Sequence, residues 1–290
     1  MTTPAGRTGA DLAVGTLLRG WRERRRITQL ELALKAESSA RHISFIETGR
    51  AKPSQAMVVR LAEHLDIPVR ERNALLLAAG YAPAYPETPL AAPAMNAVRS
   101  GLDSLLAAYE PNPALVVDGT YNVVAANRGV QALLGGLPEH LLTPPMNAMR
   151  LTLHPQGLAP RIRNFDEWRA HLVERIERQI ALRASDELRQ LHDELIAYPA
   201  PNQHGSDAAA ADGGHRNSPA DYAFALPFQL EVEGQRLSFI STVTTFNTPM
   251  DVTVSELAVE AFLPTDSKTA MFLQQLAAAT TPPAPGPETL

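Results

Sequence analysis

The stretch at residues 28–49, TQLELALKAESSARHISFIETG, contains two short helical segments that decide the fold of the front of this chain. Thr28, with Glu31 three residues later, is a capping box and predicts a helix over QLELALKA. Ser38 or Ser39 is the N-cap of a second predicted helix, ARHISFIET, which ends at Gly49. Two helices of about seven or eight residues, joined by a turn of about three, are typical of a helix-turn-helix.

Helical patterns continue on both sides of this pair. Upstream, DLAVGTLLRGWRERRR at residues 11–26 places its large apolar residues near one face and arginines on the other. Downstream, Ser54 is placed as the N-cap of QAMVVRLAEHL, and Pro68 opens VRERNALLLAAG, which Gly80 closes. We therefore expect an all-α, five-helix helix-turn-helix domain over residues 1–82.

Charge is unevenly distributed along the chain. The whole sequence has 26 Lys and Arg residues against 31 Asp and Glu residues, a formal net charge of −5. Residues 1–82 hold thirteen of the basic and eight of the acidic residues, a balance of +5, so the remainder carries −10. A basic front and an acidic rear indicate that one part meets a polyanion and the other does not. Chance variation in surface charge is the alternative explanation.

Segments rich in proline and small residues mark the boundaries. Prolines at positions 83, 86, 89 and 93 predict a semi-extended linker over residues 83–97, because proline fixes φ and removes a backbone donor. Residues 199–219 hold too little apolar material to pack and predict a mobile loop. The tail at 281–290 is predicted to be disordered. A second domain is therefore expected over residues 98–280.

The second domain combines strand-like and helical patterns. PALVVDG (113–119) and YNVVAAN (121–127) are apolar runs split by a turn, which predicts a hairpin. Residues 164–198 have helical periodicity. Residues 221–262 contain alternating runs separated by turn residues, which predicts three more strands, although their last run, VSELAVEAF, also fits a helix. The order predicts an α+β domain built on one antiparallel five-stranded sheet.

The second helix of the opening pair carries the candidate DNA contacts. Ile43 and Ile46 are placed to be buried, which leaves the leading face polar. Arginine can bind guanine with two hydrogen bonds, serine and histidine can bond base edges or phosphates, and alanine can contact a thymine methyl group. Gln29, at the start of the preceding helix, is placed for a backbone phosphate. The side chains left for DNA are Ser39, Ala40, Arg41, His42 and Ser44; an ordinary solvated helix face is the alternative.

This front segment resembles the lambda-repressor-like (XRE-type) helix-turn-helix domain over roughly residues 10–80. The matching features are Gln29, Leu32-Ala33, Ile43-Ser44, Ile46-Glu47, Gly49-Arg50 and Pro53-Ser54. The family has glycine at the turn, where this chain has Glu37. The resemblance implies that double-stranded DNA is the partner and adds Arg50 to the expected contacts. It also implies an ion pair between Arg22 and Glu47, which gives Glu47 a structural role.

The continuation RERNALLLAAGYAPAY and the α+β pattern resemble the MmyB-like transcription regulators. The similar stretches are residues 147–176 and 237–264. The resemblance implies a PAS-like ligand-binding domain that holds a fatty acid or a similar apolar molecule. Aromatic residues of the second domain are the candidate wall of such a pocket, and an ordinary hydrophobic core is the alternative. They are Phe165, Trp168, Phe228, Phe239 and Phe246.

Other classes of function find little support in the sequence. Cysteine is absent, which excludes thiolate metal ligands, cysteine nucleophiles and disulfides. His154, His171 and His192 lack metal-ligand spacing, and we expect neither a metal nor a certain cofactor. No catalytic constellation or phosphate loop is visible, so we do not expect an enzyme. No apolar run approaches the ~20 residues of a membrane helix, and we expect a cytoplasmic protein without membrane insertion.

Three hypotheses follow for the function. The first is a sequence-specific transcriptional regulator that binds a two-fold symmetric operator as a homodimer and senses a small, lipid-like ligand through its second domain. The second is an enzyme whose front domain serves only to dock it. The third is a DNA-binding protein whose second domain recruits another protein and holds no small molecule.

Overall fold

The computed structural model describes residues 9–183, 185–201 and 225–280, and the chain divides into two compact units. The first unit comprises residues 1–92 together with 247–255, and the second comprises 93–246 and 256–290. Most of the loop expected at 199–219, and the tail at 281–290, lie outside the described residues.

The first unit begins with five helices, which confirms the predicted all-α domain. Their bounds are α1 Gly9–Arg24, α2 Gln29–Lys35, α3 Ala40–Glu47, α4 Gln55–His64 and α5 Val69–Ala78. One side of each helix contributes to a common core, in which Leu18 and Trp21 from α1 join Ile43 and Ile46 from α3. Burial of these apolar faces is what holds such short helices, because isolated helices of this length are marginal in water.

Local hydrogen bonds define the ends of these helices. Thr28 and Glu31 form the predicted capping box, in which the Glu31 backbone N–H donates to Thr28 Oγ1 and the Thr28 N–H donates to the Glu31 carboxylate. Ser39, and not Ser38, is the N-cap of α3, since its Oγ accepts from the His42 N–H at 3.1 Å. Gly49 follows α3 with a φ of 66°, the left-handed conformation that glycine adopts without strain.

A close approach between α1 and α3 depends on Gly15. A Cβ atom at this position would lie 2.4 Å from the Ile46 carbonyl oxygen and 2.8 Å from that of Glu47. Both neighbours are backbone atoms, which cannot rotate away, so the two helices can pack at this distance only over a glycine. This contact fixes the C-terminal end of α3 against the preceding helix.

The proline-rich segment after α5 is partly built into the first unit. Tyr85 is buried with Val69 and Val252, and its backbone N–H donates to Asn73 Oδ1 at 3.1 Å. The Val252 N–H donates to the Pro86 carbonyl at 2.8 Å. Residues near the start of the expected semi-extended linker therefore have partners both on α5 and in the segment at 247–255.

Eight further α-helices and five strands follow among the described residues; α12 lies almost wholly in the segment 247–255 of the first unit, and the other elements belong to the second unit. The helices are α6 Asn96–Tyr109, α7 Arg128–Leu133, α8 Glu139–Leu142, α9 Ala148–Leu153, α10 Phe165–Leu182, α11 Asp186–Ala197, α12 Val252–Glu256 and α13 Ser267–Thr280. The strands are β1 Ala114–Val117, β2 Val123–Ala126, β3 Phe228–Val232, β4 Gln235–Thr245 and β5 Ala258–Pro264. The run VSELAVEAF, which fitted both periodicities, holds the end of α12 and then β5.

All five strands form one antiparallel sheet in the order β2-β1-β5-β4-β3. The predicted hairpin of β1 and β2 is present, β3 and β4 form a second hairpin, and β5 inserts between β1 and β4, with Val116 opposite Val259 and Thr242 opposite Ala261. Helices α7, α9, α10 and α11 contribute to the hydrophobic core together with the sheet. The predicted α+β fold is thus confirmed.

Gly15 and Gly20, both within α1, provide a matched test of the helix packing. We expect Gly15→Ala to lower the free energy of unfolding of the first unit by about 1–3 kcal/mol, because the added methyl group overpacks a backbone contact. Gly20→Ala meets only the flexible Arg24 side chain at 3.5 Å, and it should raise the free energy of unfolding by up to about 1 kcal/mol through helix propensity. Urea unfolding followed by Trp21 fluorescence in a Trp168→Phe background measures both. Equal effects of the two substitutions would contradict the packing role of Gly15.

Candidate DNA-binding surface and ligand cavity

The turn between α2 and α3 has helix-turn-helix geometry with an unusual residue at its centre. Glu37 has a φ of 52°, so it occupies the left-handed region that usually takes glycine. The turn is closed on its N-terminal side by the Ser38 N–H, which donates to the Ala33 carbonyl at 2.8 Å. At the turn position where the XRE-type pattern has glycine, Glu37 therefore adopts a conformation that glycine favours.

A buried ion pair joins the C-terminal part of α1 to the end of α3. Arg22 Nε lies 2.6 Å from Glu47 Oε1 and Nη2 lies 3.0 Å from Oε2, and the third nitrogen, Nη1, donates to the Ile27 carbonyl. The side chains are only 12% and 3% exposed. The hydrogen bonds from Arg22 to Glu47 raise the pKa of the arginine above its usual value. Glu47 is thus held inside the protein and is not part of the exposed face of α3.

Gln29 belongs to the same network. Its Nε2 donates to Glu47 Oε2 at 2.8 Å, so the side chain connects α2 to α3 in the structure. Gln29 is also the side chain expected to contact a backbone phosphate. One of its two amide hydrogens is, however, already bonded within the protein. The second amide hydrogen and the side-chain oxygen are what it retains for DNA.

The leading face of α3 presents the other candidate contacts. Ser39, Arg41 and Arg50 are exposed, whereas Ala40, His42 and Ser44 are half-buried. Both arginines lie near the Phe45 ring, whose centroid is 5.2 Å from the Arg41 guanidinium carbon and 5.9 Å from that of Arg50. Cation–π attraction to one ring restrains both guanidinium groups on the same surface. The sequence did not single out Phe45, because its role depends on a residue beyond the helix end.

Part of the arginine cluster at the end of α1 has structural partners. Arg25 Nε donates to the Leu65 carbonyl and its Nη2 to the Asp66 carbonyl, which completes the C-terminal end of α4. Arg24 lies 4.1 Å above the Trp21 ring. Arg26 is exposed and has a φ of 55°. Arg25 therefore joins α1 to the end of α4, in addition to any attraction that the cluster has for phosphate.

The second unit contains a small cavity whose wall is mostly apolar. Its volume is about 70 Å³, and β1, α7, α9, α10, β3 and β5 contribute to the wall. Ligand sites in proteins usually measure about 300–1,000 Å³, so this space is small. A larger cleft of about 370 Å³ lies between α7 and α13. The smaller cavity is the better candidate site because it is lined by core residues and includes a buried carboxylate, Glu260.

The predicted pocket aromatics do not all lie on this wall. Trp168 and Phe228 line the cavity, and their rings are 4.8 Å apart. Phe165 and Phe239 are buried in the core but are not among the described wall residues. Phe246 is 38% exposed, since it lies beyond the end of β4, past the part of that strand that β3 covers. For these three aromatics the structure places the side chain in the core or at the surface.

Glu260 is the acidic residue of the wall and has partners on two elements. Arg175 Nη1 donates to its Oε1 at 3.0 Å, and the Ser241 hydroxyl donates to the same oxygen at 2.8 Å. Burial lowers the pKa of Arg175, but attraction to Glu260 and Tyr121 outweighs it and leaves the pKa above its usual value. The sequence signal for this residue is a lone acid within the apolar run AVEAFLP.

Comparison with known families identifies both units. Residues 98–276, more than half of the chain, match the family described as "MmyB-like transcription regulator ligand binding domain". The chain belongs to this MmyB-like family. Residues 18–72 match the helix-turn-helix family, which confirms the XRE-type resemblance of the front segment. An MmyB-like chain of this architecture is a DNA-binding transcription regulator with a ligand-binding domain.

Two solved structures are similar to part of this MmyB-like chain. Both are of the clp gene regulator ClgR from Corynebacterium glutamicum. The first match has 26% sequence identity and covers 25% of this chain and 91% of the ClgR chain. The second has 22% identity and covers 36% of this chain and 95% of the ClgR chain. The TM-score is 0.23 in both cases. No curated protein matches the chain.

The part of the chain that the structure describes holds neither a metal-ligand cluster nor a membrane-spanning helix. No group of three or more His, Asp or Glu side chains within residues 9–183, 185–201 and 225–280 is arranged to hold a metal ion. No helix in the same part of the chain has the length and apolar character that crossing a bilayer requires.

The left-handed turn gives a test of the helix-turn-helix geometry. Glu37→Gly should raise the free energy of unfolding of the first unit by about 0.5–1 kcal/mol, since relief of a left-handed residue outweighs the entropy of glycine. Glu63, exposed within α4, is the matched control, and Glu63→Gly should lower it by about 1 kcal/mol. Urea unfolding followed by Trp21 fluorescence compares them. A loss of stability in both variants would show that the turn at Glu37 is not left-handed.

Proposed function

We propose that this regulator binds a specific DNA sequence by placing α3 in the major groove. Ser39, Ala40, Arg41, His42 and Ser44 are then at the leading face, where a recognition helix meets base edges. The observation that carries the proposal is the burial of Ile43, Ile46 and Glu47 on the opposite face of the same helix. Only one face of α3 is left for an external partner, and it is polar and basic.

The individual side chains differ in what they can contribute. Arg41 is the residue best suited to bidentate contact with guanine, because it is exposed and restrained by the Phe45 ring. Ser39 already accepts a hydrogen bond from the backbone and keeps its hydroxyl hydrogen for a base edge or phosphate. Arg50, beyond the helix end, and Gln29, on α2, are placed for backbone phosphates and would set register.

We further propose that the regulator acts as a homodimer on a two-fold symmetric site. A single short recognition helix contacts only a few base pairs, so two copies with half-sites about one helical turn apart supply the required specificity. Sedimentation of the free chain, and of its complex with a selected site, measures the stoichiometry. One chain per site with full sequence preference would exclude this part of the proposal.

Substitution of Arg41 tests the DNA contact. Arg41→Ala should weaken binding to the preferred sequence by about 1–3 kcal/mol and flatten the preference, since it removes a base contact. Arg19→Ala is the matched control: Arg19 is an exposed arginine on α1 that pairs with Glu23, and its removal should leave the preference intact. Selection from a random DNA library, followed by affinity measurement at two salt concentrations, compares the variants.

Two outcomes would count against this assignment. An unchanged sequence preference in Arg41→Ala would remove Arg41 from the readout. Binding of the wild-type chain that does not weaken with added salt would argue against the whole DNA-binding face, because contact with phosphates releases counterions.

We also propose that the cavity of the second unit binds a small apolar ligand to which the regulator responds. Support comes from the match to a ligand-binding family and from the mostly apolar wall around Trp168 and Phe228. A ligand would change DNA binding only as far as it binds the two functional states with different affinity. The small volume favours the alternative that the second domain recruits a protein and holds no ligand, so the two candidates need a direct test.

A cavity-filling substitution distinguishes these candidates. Denaturing extraction of protein purified from its own host, followed by mass spectrometry, should release an apolar molecule from the wild type. Ala148 lines the cavity, and Ala148→Leu should abolish this molecule by occupying its space. Ala197→Leu, on the exposed end of α11, is the control and should retain it. An extract without any apolar molecule from wild type and control would favour the protein-recruiting alternative.

A further inference from the structure

We infer that Phe45 is a specificity-determining residue, whose ring contacts the 5-methyl group of a thymine and also holds Arg41 in place to bind a neighbouring guanine. The inference rests on the proposed binding of α3 in the major groove. It adds a large apolar side chain to a face whose other candidate contacts are small or polar.

Phe45 is a large apolar side chain that lies outside the core of the first unit. It is only half-buried, and among the described residues it belongs neither to the core cluster nor to the apolar residues packed against that cluster. Ile43 and Ile46, on the same helix, are each only 1% exposed. A ring that the core does not cover keeps part of its surface in water, and burying that surface against a partner is favourable.

Helix geometry places Phe45 on the face of α3 that is opposite the core. With about 3.6 residues per turn, Phe45 lies about 200° around the helix axis from the buried Ile43. Arg41 is one turn earlier on the same face, and its guanidinium carbon is 5.2 Å from the centroid of the Phe45 ring. Phe45 therefore belongs to the surface that faces the major groove when Arg41 binds a base.

The Phe45 ring also lies near a second guanidinium group, that of Arg50. The Arg50 backbone N–H donates to the Phe45 carbonyl at 2.7 Å, which fixes the start of the segment after α3. The Arg50 guanidinium carbon is 5.9 Å from the centroid of the ring. Cation–π attraction therefore restrains the arginine proposed to bind a base and the arginine proposed to bind a phosphate beside one ring.

A thymine methyl group is the partner that matches this apolar surface. Among the four bases only thymine has a methyl group in the major groove, and phenylalanine is one of the side chains that contact it. Arg41 and Phe45 are about 6 Å apart along the helix axis, and base pairs are stacked about 3.4 Å apart. The thymine is therefore expected within about two base pairs of the guanine that Arg41 binds.

Removal of single methyl groups from the DNA tests this contact on the full chain. In the site selected from the random library, each thymine of one half-site is replaced in turn by deoxyuridine, which lacks only the 5-methyl group. Wild type should bind at least about threefold more weakly when the thymine near the guanine is replaced, because the burial of one methyl group is lost.

Three variants assign the methyl contact to the Phe45 ring. Phe45→Ala should bind the thymine and deoxyuridine sites about equally, and its preference for guanine over adenine at the Arg41 position should fall about twofold to fivefold. Phe45→Tyr keeps the ring and should retain both preferences. Leu77→Ala removes an exposed apolar side chain from α5 and should also retain both. Each preference is a ratio measured on one variant, so a general loss of stability does not imitate the result.

The outcomes separate this inference from the proposed function. A preference for thymine over deoxyuridine that Phe45→Ala abolishes and Phe45→Tyr retains supports the inference. A selected half-site without a thymine near the guanine, equal binding of deoxyuridine by wild type, or a preference that survives in Phe45→Ala overturns it and leaves sequence-specific binding in place. Absence of any preferred sequence for wild type overturns the proposed function, and the inference with it.

Discussion

The ion pair between Arg22 and Glu47 is the interaction on which the DNA-binding unit depends. It crosses from α1 to the end of α3, and Gln29 extends it to α2, so three helices share one buried carboxylate. Breaking a buried pair by removing one partner costs about 3–5 kcal/mol, because the remaining charge is left without compensation. The pair therefore fixes the direction in which α3 presents its polar face.

Close packing of α1 against the backbone of α3 also restrains the position of α3. Gly15 allows α1 to approach the carbonyl groups of Ile46 and Glu47, the same end of α3 that carries the buried carboxylate. A hydrogen-bonded charge pair and a close glycine contact restrain position in different ways, one through direction and the other through distance. Together they give α3 a defined orientation although it has only eight residues.

The second unit has few buried polar side chains among its described residues, and one of them, Glu260, lies on the cavity wall. The wall is built from the core of an α+β sheet, in which almost every contact is apolar. Glu260 interrupts this core on β5 and is tolerated there because Arg175 and Ser241 satisfy one of its oxygens. β5 follows directly in the chain from residues 247–255, which belong to the first unit. The strand that carries the carboxylate is thus continuous with a segment anchored by Pro86 and Tyr85.

Much of the architecture was determined by short-range patterns in the sequence. The capping box at Thr28 and Glu31, the cap at Ser39 and the glycine after α3 involve residues within a few positions of each other, so their chemistry is visible in one stretch. Alternation and turn residues predicted the strands of the sheet for the same reason. The spacing of the XRE-type motif also placed Arg22 opposite Glu47, because the resemblance supplied a contact across 25 positions.

Only the tertiary structure decided which side chains meet across long separations. It directed Gln29 towards Glu47, brought two arginines to the Phe45 ring, and placed Tyr85 against Val252. It also separated the predicted aromatics into wall, core and surface, and it put Glu260 at the cavity. The periodicity of a helix or strand predicts which of its residues are buried. It does not predict which residues they contact, because a contact depends on a second element whose position the local pattern does not contain.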